Sequence, residues 1–170
     1  MENNISLLKE TELFKNLSAE QIRKVLNICR TVTFPEDEII MKEGETGDCM
    51  YIILKGTVEV IKKLIMDGVG DDENVERNKI FTRLDAGRHA VFGEIALLEE
   101  LRRTATIRAV TDCTLYEIQK DDFLNLAEED FEFGYRILLN MARIVSARLR
   151  KADEDTIKLT TVLSMILKES

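Results

Sequence analysis

Residues 91–109 constrain the fold more than any other stretch, because they combine a turn, a short helix, a cationic loop and a strand. A Phe-Gly-Glu triplet begins at Phe92, and a short apolar run of helical character follows it. The pair Arg102 and Arg103 comes next, and from Thr106 the residues alternate as in a β-strand. This order predicts a turn into a short helix, a loop that carries cations, and then a strand.

The chemistry of the same stretch suits a ligand that has both a phosphate and a free hydroxyl. N–H groups at a helix start and an arginine fork beside them bind phosphate oxygens. Gly93 allows a close backbone approach, because it has no side chain. The carboxylate of Glu94 accepts hydrogen bonds from hydroxyls but repels a phosphate oxygen.

These residues resemble the phosphate-binding cassette of the cyclic nucleotide-binding domains. The cassette pattern runs F-G-E-[LI]-A-L-L, a short loop, and then R-[AST]-A-[TS]-[VI]-[RK]-A. Residues 92–98 and 103–109 match the two halves, and Glu94 and Arg103 stand at the expected separation. The resemblance implies that the ligand is cAMP or cGMP, with no metal and no further cofactor.

The resemblance also implies roles for individual residues. Arg103 would grip the cyclic phosphate through charge-assisted, bidentate hydrogen bonds, which a lysine cannot reproduce geometrically. Glu94 would accept the hydrogen of the ribose 2′-hydroxyl. The other phosphate and ribose contacts that it implies are Phe92, Gly93, Ile95, Ala96, Thr104 and Ala105.

The purine end of the site is less defined by the resemblance. Thr104 stands where many family members have alanine, and a hydroxyl at this position resembles cGMP-type pockets. On the C-terminal helix, the position that contacts the base in some members falls near Ala152 and Asp153, and Ala152 has no hydroxyl. Thr104, Ala152 and Asp153 are therefore the candidate base contacts, and the choice between cAMP and cGMP stays open.

Strand and turn signals surround the cassette. The turn sequence E-G-E-T-G-D at 43–48 and the segment Y-I-I-L-K-G-T-V-E-V at 51–60 predict glycine-punctuated strands, and they also resemble the family. We expect an α+β fold, an antiparallel β-roll of the jelly-roll or double-stranded β-helix type with N-terminal helices and a long C-terminal helix. The expected division is a helical segment at 1–30, the roll at 31–120, and the C-terminal helices at 121–170.

Local signals refine this outline. Ser18 and Gln21 form a capping box at a helix start. Residues 62–78 lack periodicity and have an acidic centre, which predicts a solvated hairpin loop, since the ligand spacing of a calcium loop is absent. The interval from Gly87 to Phe92 is longer than in the family, and His89 within it is predicted to be a surface loop residue.

A long helix is predicted from residue 131 to residue 168. Its apolar positions repeat in steps of four and three, which is the coiled-coil period. This seam consists of Leu138, Ala142, Val145, Leu149, Ala152, Thr156, Leu159, Leu163 and Ile166. A second set, Phe133, Ile137, Met141 and Ile144, widens the apolar face. We expect the second set to pack on the roll and the seam to form a homodimer; the alternative is a single helix that folds back on its own roll.

Composition excludes several other functions. The formal charge of −8 argues against direct nucleic-acid binding. The sequence has no apolar run long enough to span a bilayer and no recognisable signal peptide, so we expect a cytoplasmic protein without a membrane partner. Three scattered cysteines predict buried free thiols rather than a metal cluster. A single histidine argues against a cupin-type metalloenzyme, and no nucleophile motif is present, so we expect no enzymatic activity.

Two hypotheses for the function remain at this point. The first is a regulatory sensor that binds cAMP or cGMP and transmits binding through its C-terminal helices to an effector protein in trans. The second is a dimerisation or docking scaffold that works without nucleotide because its pocket is degenerate. Transcription factors of the family have a helix-turn-helix after the long helix, which this sequence lacks, so we expect a sensor without a DNA-binding domain, either stand-alone or part of a longer protein.

Overall fold

Two antiparallel sheets form the centre of the computed structural model, which describes residues 2–66, 75–88, 90–98 and 102–168. One sheet has the strand order β1-β8-β3-β6 and the other β2-β7-β4-β5. The strands in these residues are β1 (Cys29–Phe34), β2 (Ile39–Met41), β3 (Cys49–Lys55), β4 (Thr57–Met66), β5 (Val75–Asp85), β6 (Val91–Phe92), β7 (Thr106–Ala109) and β8 (Cys113–Gln119). The predicted antiparallel β-roll is confirmed.

Helices flank the roll at both ends of the chain. The helices are α1 (Glu2–Glu10), α2 (Ala19–Ile28), α3 (Lys120–Glu129) and α4 (Phe131–Lys168). N-terminal residues such as Leu8 and Phe14 share one buried cluster with Phe133 of α4 and Met50 of β3. The helices are therefore part of the same core as the sheet, because they bury apolar area that neither could bury alone.

The predicted capping box starts α2. The Gln21 N–H donates to Ser18 Oγ at 3.1 Å, and the Ser18 N–H donates to Gln21 Oε1 at 3.0 Å. Leu17 and Ile22, on either side of the cap, are both buried. The box satisfies two backbone donors that a helix start leaves without partners.

The first turns of α4 are fixed by two polar side chains. The Phe133 N–H donates to the Asp130 carboxylate at 3.0 Å, and this bond holds the pKa of Asp130 below its usual value. The buried Asn140 side chain donates from Nδ2 to the backbone oxygens of Leu13 at 3.0 Å and Lys15 at 2.9 Å. The start of α4 is thereby tied to the N-terminal segment.

The two faces of α4 differ as the apolar pattern predicted. Phe133, Ile137 and Met141 are buried in the core, and Ile144 packs against it. Seam residues such as Leu138 and Leu149 are 56% and 61% exposed. The side chain of Leu163 lies outside the described residues, and every other residue of the seam is exposed.

The hairpin between β4 and β5 is longer than predicted. Residues 62–66 and 75–78 of the expected loop are paired strand, with Met66 opposite Val75. The remaining residues 67–74 lie outside the described residues, and so does His89. A strand is identified in a sequence by alternating apolar residues, and this charged segment lacks that alternation. The hydrogen bonds between strands are made by the backbone, so the segment can still pair. Gln119 occupies the N-cap of α3, and Asp121 and Asp122 lie in the first turn of that helix.

Candidate functional site

A cavity of about 540 Å³ lies between the segment 91–109, the β4–β5 hairpin and α4. All eight residues predicted for the phosphate and ribose site line it: Phe92, Gly93, Glu94, Ile95, Ala96, Arg103, Thr104 and Ala105. Ala152 and Asp153 do not line it; Arg148 and Lys151, up to one helical turn earlier on α4, do. The sequence therefore located one wall of the cavity and misplaced the contribution of α4 along the helix.

Arg103 is held at the inner end of the cavity. Arg103 is 8% exposed, and its Nη2 donates to the backbone oxygen of Cys49 at 2.8 Å. Nη1 donates to the backbone oxygen of Gly93 at 3.4 Å. Among the described residues, these contacts and that of Nη2 with Cys49 Sγ leave the Nε–H and one N–H of Nη1 without an acceptor.

The turn at 43–48 clamps the backbone of Arg103. The Arg103 N–H donates to the Glu45 oxygen at 2.7 Å, and the Gly44 N–H donates to the Arg103 oxygen at 2.9 Å. Gly47 leaves room for the side chain, because a Cβ there would stand 1.9 Å from Arg103 Nε. The turn that the sequence predicted therefore fixes both the backbone and the side chain of Arg103.

Gly93 and Glu94 line the cavity beside Arg103. Gly93 has a left-handed φ of 77°, and a Cβ there would lie 2.9 Å from Arg103 Nη1. A single 3₁₀ turn, Glu94–Leu97, follows, where the sequence predicted a short helix. Glu94 begins this turn with its carboxylate buried beside the cavity.

Glu94 forms an ion pair with Arg148 of α4, which the sequence did not indicate. The carboxylate is 2% exposed, whereas the Arg148 side chain is 52% exposed. The two residues are far apart in the chain, so only the packing of α4 across the cavity brings them together. The pair connects the predicted hydroxyl acceptor directly to the C-terminal helix.

Behind Arg103, a chain of polar side chains begins at the Cys49 thiol. Cys49 Sγ lies 3.4 Å from Arg103 Nη2 and 3.4 Å from Tyr51 Oη, and Tyr51 donates to Glu117 at 3.1 Å. Burial raises the pKa of the Cys49 thiol, so it stays protonated and adds no negative charge beside the guanidinium.

The predicted free thiols are present. Cys113 is buried, and burial also raises its pKa; Cys29 is only half-buried, and its pKa is raised to about 12. In the part of the chain that the structure describes, His, Cys, Asp and Glu side chains form no group that could hold a metal ion. Within the same residues, no helix is both long and apolar enough to cross a bilayer.

The outer end of the cavity contains residues that the sequence reasoning missed. Phe81, Thr82 and Lys62 of the β4–β5 hairpin line it, opposite Lys151 of α4. Phe81 is 56% exposed, which is high for an aromatic side chain on a strand. The one available signal was an aromatic residue in a segment otherwise rich in charges.

Sequence comparison places these residues in a known context. Residues 31–130 match the family model described as "Cyclic nucleotide-binding domain". The chain is 32% identical over 114 residues, 67% of its length, to a cGMP-dependent protein kinase of Drosophila melanogaster. It is 32% identical over 121 residues, 71% of its length, to the cAMP-dependent protein kinase regulatory subunit of Emericella nidulans.

A third relative is the human potassium/sodium hyperpolarization-activated cyclic nucleotide-gated channel 4, which is 35% identical over 123 residues, 72% of this chain. The matches cover 9%, 26% and 9% of the kinase, the regulatory subunit and the channel. The chain therefore corresponds to a minor part of each of these relatives.

Solved structures agree with the fold. The catabolite activator protein of Thermus thermophilus aligns with a TM-score of 0.72 and 25% identity, over 88% of this chain and 63% of that one. The regulatory domain of Toxoplasma gondii PKA, solved with cAMP, aligns with a TM-score of 0.61 and 25% identity, over 74% of this chain and 43% of that one. Together with the family match, these results show that the chain belongs to the cyclic nucleotide-binding domain family.

Proposed function

We propose that the chain binds cAMP or cGMP in the cavity and acts as a non-catalytic regulatory module. The observation that carries the proposal is the buried Arg103 guanidinium, held by Cys49 and Gly93 with donors left over, in a cavity that a buried Glu94 also lines. A buried cation with unused donors is costly unless an anion can pair with it. Relatives named for cAMP and cGMP support the same ligand class.

In this proposal the two charged groups have separate tasks. Arg103 binds the exocyclic oxygens of the cyclic phosphate, and the Glu94 carboxylate accepts the ribose 2′-hydroxyl. Gly93 brings the backbone close to the phosphate, and Phe92, Ile95, Ala96 and Ala105 form the wall of the cavity. Thr104 lies at its open side with an exposed hydroxyl.

Isothermal titration calorimetry with cAMP and cGMP tests the proposal directly. We expect saturable heat from at least one nucleotide. No heat from either, with folded protein, would exclude the sensor and leave the nucleotide-independent scaffold as the explanation of the fold.

The Glu94–Arg148 ion pair suggests how binding is transmitted. A ribose hydroxyl at Glu94 competes with Arg148 for the same carboxylate, so nucleotide weakens the tie between α4 and the cavity wall. A ligand shifts a conformational equilibrium only through its differential affinity for the two states. The competition supplies that difference, and a partner protein that contacts α4 would receive the signal.

Replacing Arg148 with methionine should raise nucleotide affinity by about two- to fivefold, because a half-exposed ion pair that no longer has to be broken is worth at most about 1 kcal/mol. Calorimetry measures the effect, and Arg150→Met is the matched control, since Arg150 is on the same helix but does not line the cavity. Weaker binding by the Arg148 variant would instead make Arg148 a ligand contact.

The exposed seam of α4 favours a homodimer, which we include in the proposal. Leu149→Glu should convert the dimer to a monomer, because a carboxylate at the centre of a helix–helix seam would be buried without a partner. Ile157→Glu is the control, because Ile157 is 66% exposed but lies off the seam. Sedimentation velocity distinguishes the forms, and an unaltered chain that stays monomeric at all concentrations would contradict the dimer.

A further inference from the structure

The outer end of the cavity has a β-bulge that presents an aromatic ring. Val60 of β4 pairs with Thr82 of β5, but the next residue, Ile61, pairs with Ile80. Phe81 is therefore an extra residue without a partner in the ladder. Bulges of this kind turn a side chain away from the regular alternation, often beside a binding site. Phe81 accordingly lines the cavity although it is adjacent to Thr82, which lines it too.

Two lysines approach this ring, and only one of them belongs to the cavity. Lys62 Nζ is 5.8 Å from the centroid of Phe81, and Lys79 Nζ is 5.9 Å from it. Lys62 lines the cavity and Lys79 does not. The contact with the ring restrains the Lys62 ammonium at the cavity edge.

The polar side chains at this end are mainly hydrogen-bond donors. Lys62, Arg102 and Lys151 line it together with the hydroxyls of Thr82 and Thr104. Among the described residues that line the cavity, the only side-chain carboxylate is Glu94, which pairs with Arg148, and none is Asp, Asn or Gln. Lysine and arginine donate hydrogen bonds and accept none. An amino group on a ligand therefore finds few side-chain acceptors here.

Purines differ in what they offer to such donors. Guanine presents two adjacent acceptors, O6 and N7, whereas adenine presents N7 beside an N6 amino group. An ammonium at that edge makes two favourable contacts with guanine. With adenine it makes one contact, and it faces the like partial charge of the amino hydrogens.

We propose that Phe81 and Lys62 form a base-recognition subsite that makes the cavity selective for cGMP over cAMP. The purine stacks on the ring of Phe81, and the ammonium of Lys62 donates to O6 and N7 of guanine. The inference rests on the proposed function, since it assigns the base end of the same site. It also locates base selectivity on the β4–β5 hairpin, apart from the hydroxyl of Thr104.

Three nucleotides separate these two origins of selectivity. We expect calorimetry to give about tenfold tighter binding of cGMP than of cAMP, as for one good two-acceptor contact. Inosine 3′,5′-cyclic monophosphate keeps O6 and N7 but lacks the guanine 2-amino group, and it should bind like cGMP. If it binds as weakly as cAMP, the selectivity comes from the 2-amino group and the proposal is overturned.

Paired variants complete the test. Lys62→Met should abolish the preference for cGMP, while Lys79→Met should keep it. Phe81→Ala should lower the affinity for both nucleotides about tenfold, as expected for the loss of one stacking contact. Ile80→Ala, at a neighbour of similar exposure, should leave both affinities unchanged. Equal binding of cGMP and cAMP by the unaltered protein would overturn this inference alone, whereas no binding of any cyclic nucleotide would overturn the proposed function with it.

Discussion

Replacing Arg103 with alanine should lower the affinity for cAMP and cGMP by at least about 100-fold, since truncating one partner of a buried, hydrogen-bonded charge pair costs several kcal/mol. The loss is large because the Arg103 guanidinium is buried and is held in position by the backbone oxygens of Cys49 and Gly93. Titration calorimetry measures the change. Arg103→Lys should recover little of it, because an ammonium cannot make two parallel hydrogen bonds to a phosphate.

Arg102→Ala is the matched control for this experiment. Arg102 also lines the cavity, but it is exposed, and its backbone forms a bridge with Thr46. We expect its removal to weaken binding by about threefold at most, in line with an exposed charge. Similar losses in the two variants would mean that a diffuse positive potential, rather than the geometry of Arg103, holds the ligand. Urea denaturation should accompany both, because Arg103→Ala also removes one hydrogen-bond donor from each of the Cys49 and Gly93 oxygens.

Gly47→Ala should abolish nucleotide binding almost as fully as Arg103→Ala. A methyl group at Gly47 would occupy the place of the guanidinium, with Cβ only 1.9 Å from Nε and 2.2 Å from Cζ. Either the turn or Arg103 must move, and both movements change the position of the guanidinium in the cavity. The expected loss is again on the order of 100-fold, because the arginine is present but misplaced.

Gly44→Ala separates this effect from ordinary glycine strain. Gly44 has a φ of 86°, so alanine there is strained and should cost about 1 kcal/mol of stability. A Cβ at Gly44 meets nothing within 4 Å, so the position of Arg103 is unaffected. We expect Gly44→Ala to lower the urea midpoint while keeping the affinity. Intact binding by Gly47→Ala would show that Arg103 can be accommodated elsewhere.

The cavity wall formed by residues 92–96 and 102–105 could be predicted because its residues are close in sequence and fixed by local geometry. The Phe-Gly-Glu triplet, the turn at 43–48 and the spacing to Arg103 are all visible in the chain. The opposite wall depends on where α4 crosses the roll, and a shift of a few residues along the helix exchanges Ala152 and Asp153 for Arg148 and Lys151.

Phe81 illustrates a second reason why sequence reasoning stops short. A regular strand would place Phe81 and Thr82 on opposite faces of the sheet. The register shift between Val60 and Ile61 brings both to the cavity, and such a shift has no reliable signature in one sequence. By contrast, the two faces of α4 followed directly from its apolar spacing, because helical periodicity survives over many turns.

Because α4 is long, a small tilt of the helix at the cavity moves its far end by a much larger distance. The core packing that anchors the helix ends at Ile144, Arg148 adds its ion pair with Glu94, and beyond Lys151 every side chain that the structure describes is exposed. The part from residue 145 to residue 168 extends roughly 36 Å from that anchor at 1.5 Å per residue. A tilt of about 10° at Arg148 and Glu94, roughly 30 Å from the far end, would therefore move that end by about 5 Å, close to one helical pitch. If nucleotide binds as proposed, a change the size of one ribose hydroxyl would thus become a displacement large enough for a partner surface to distinguish.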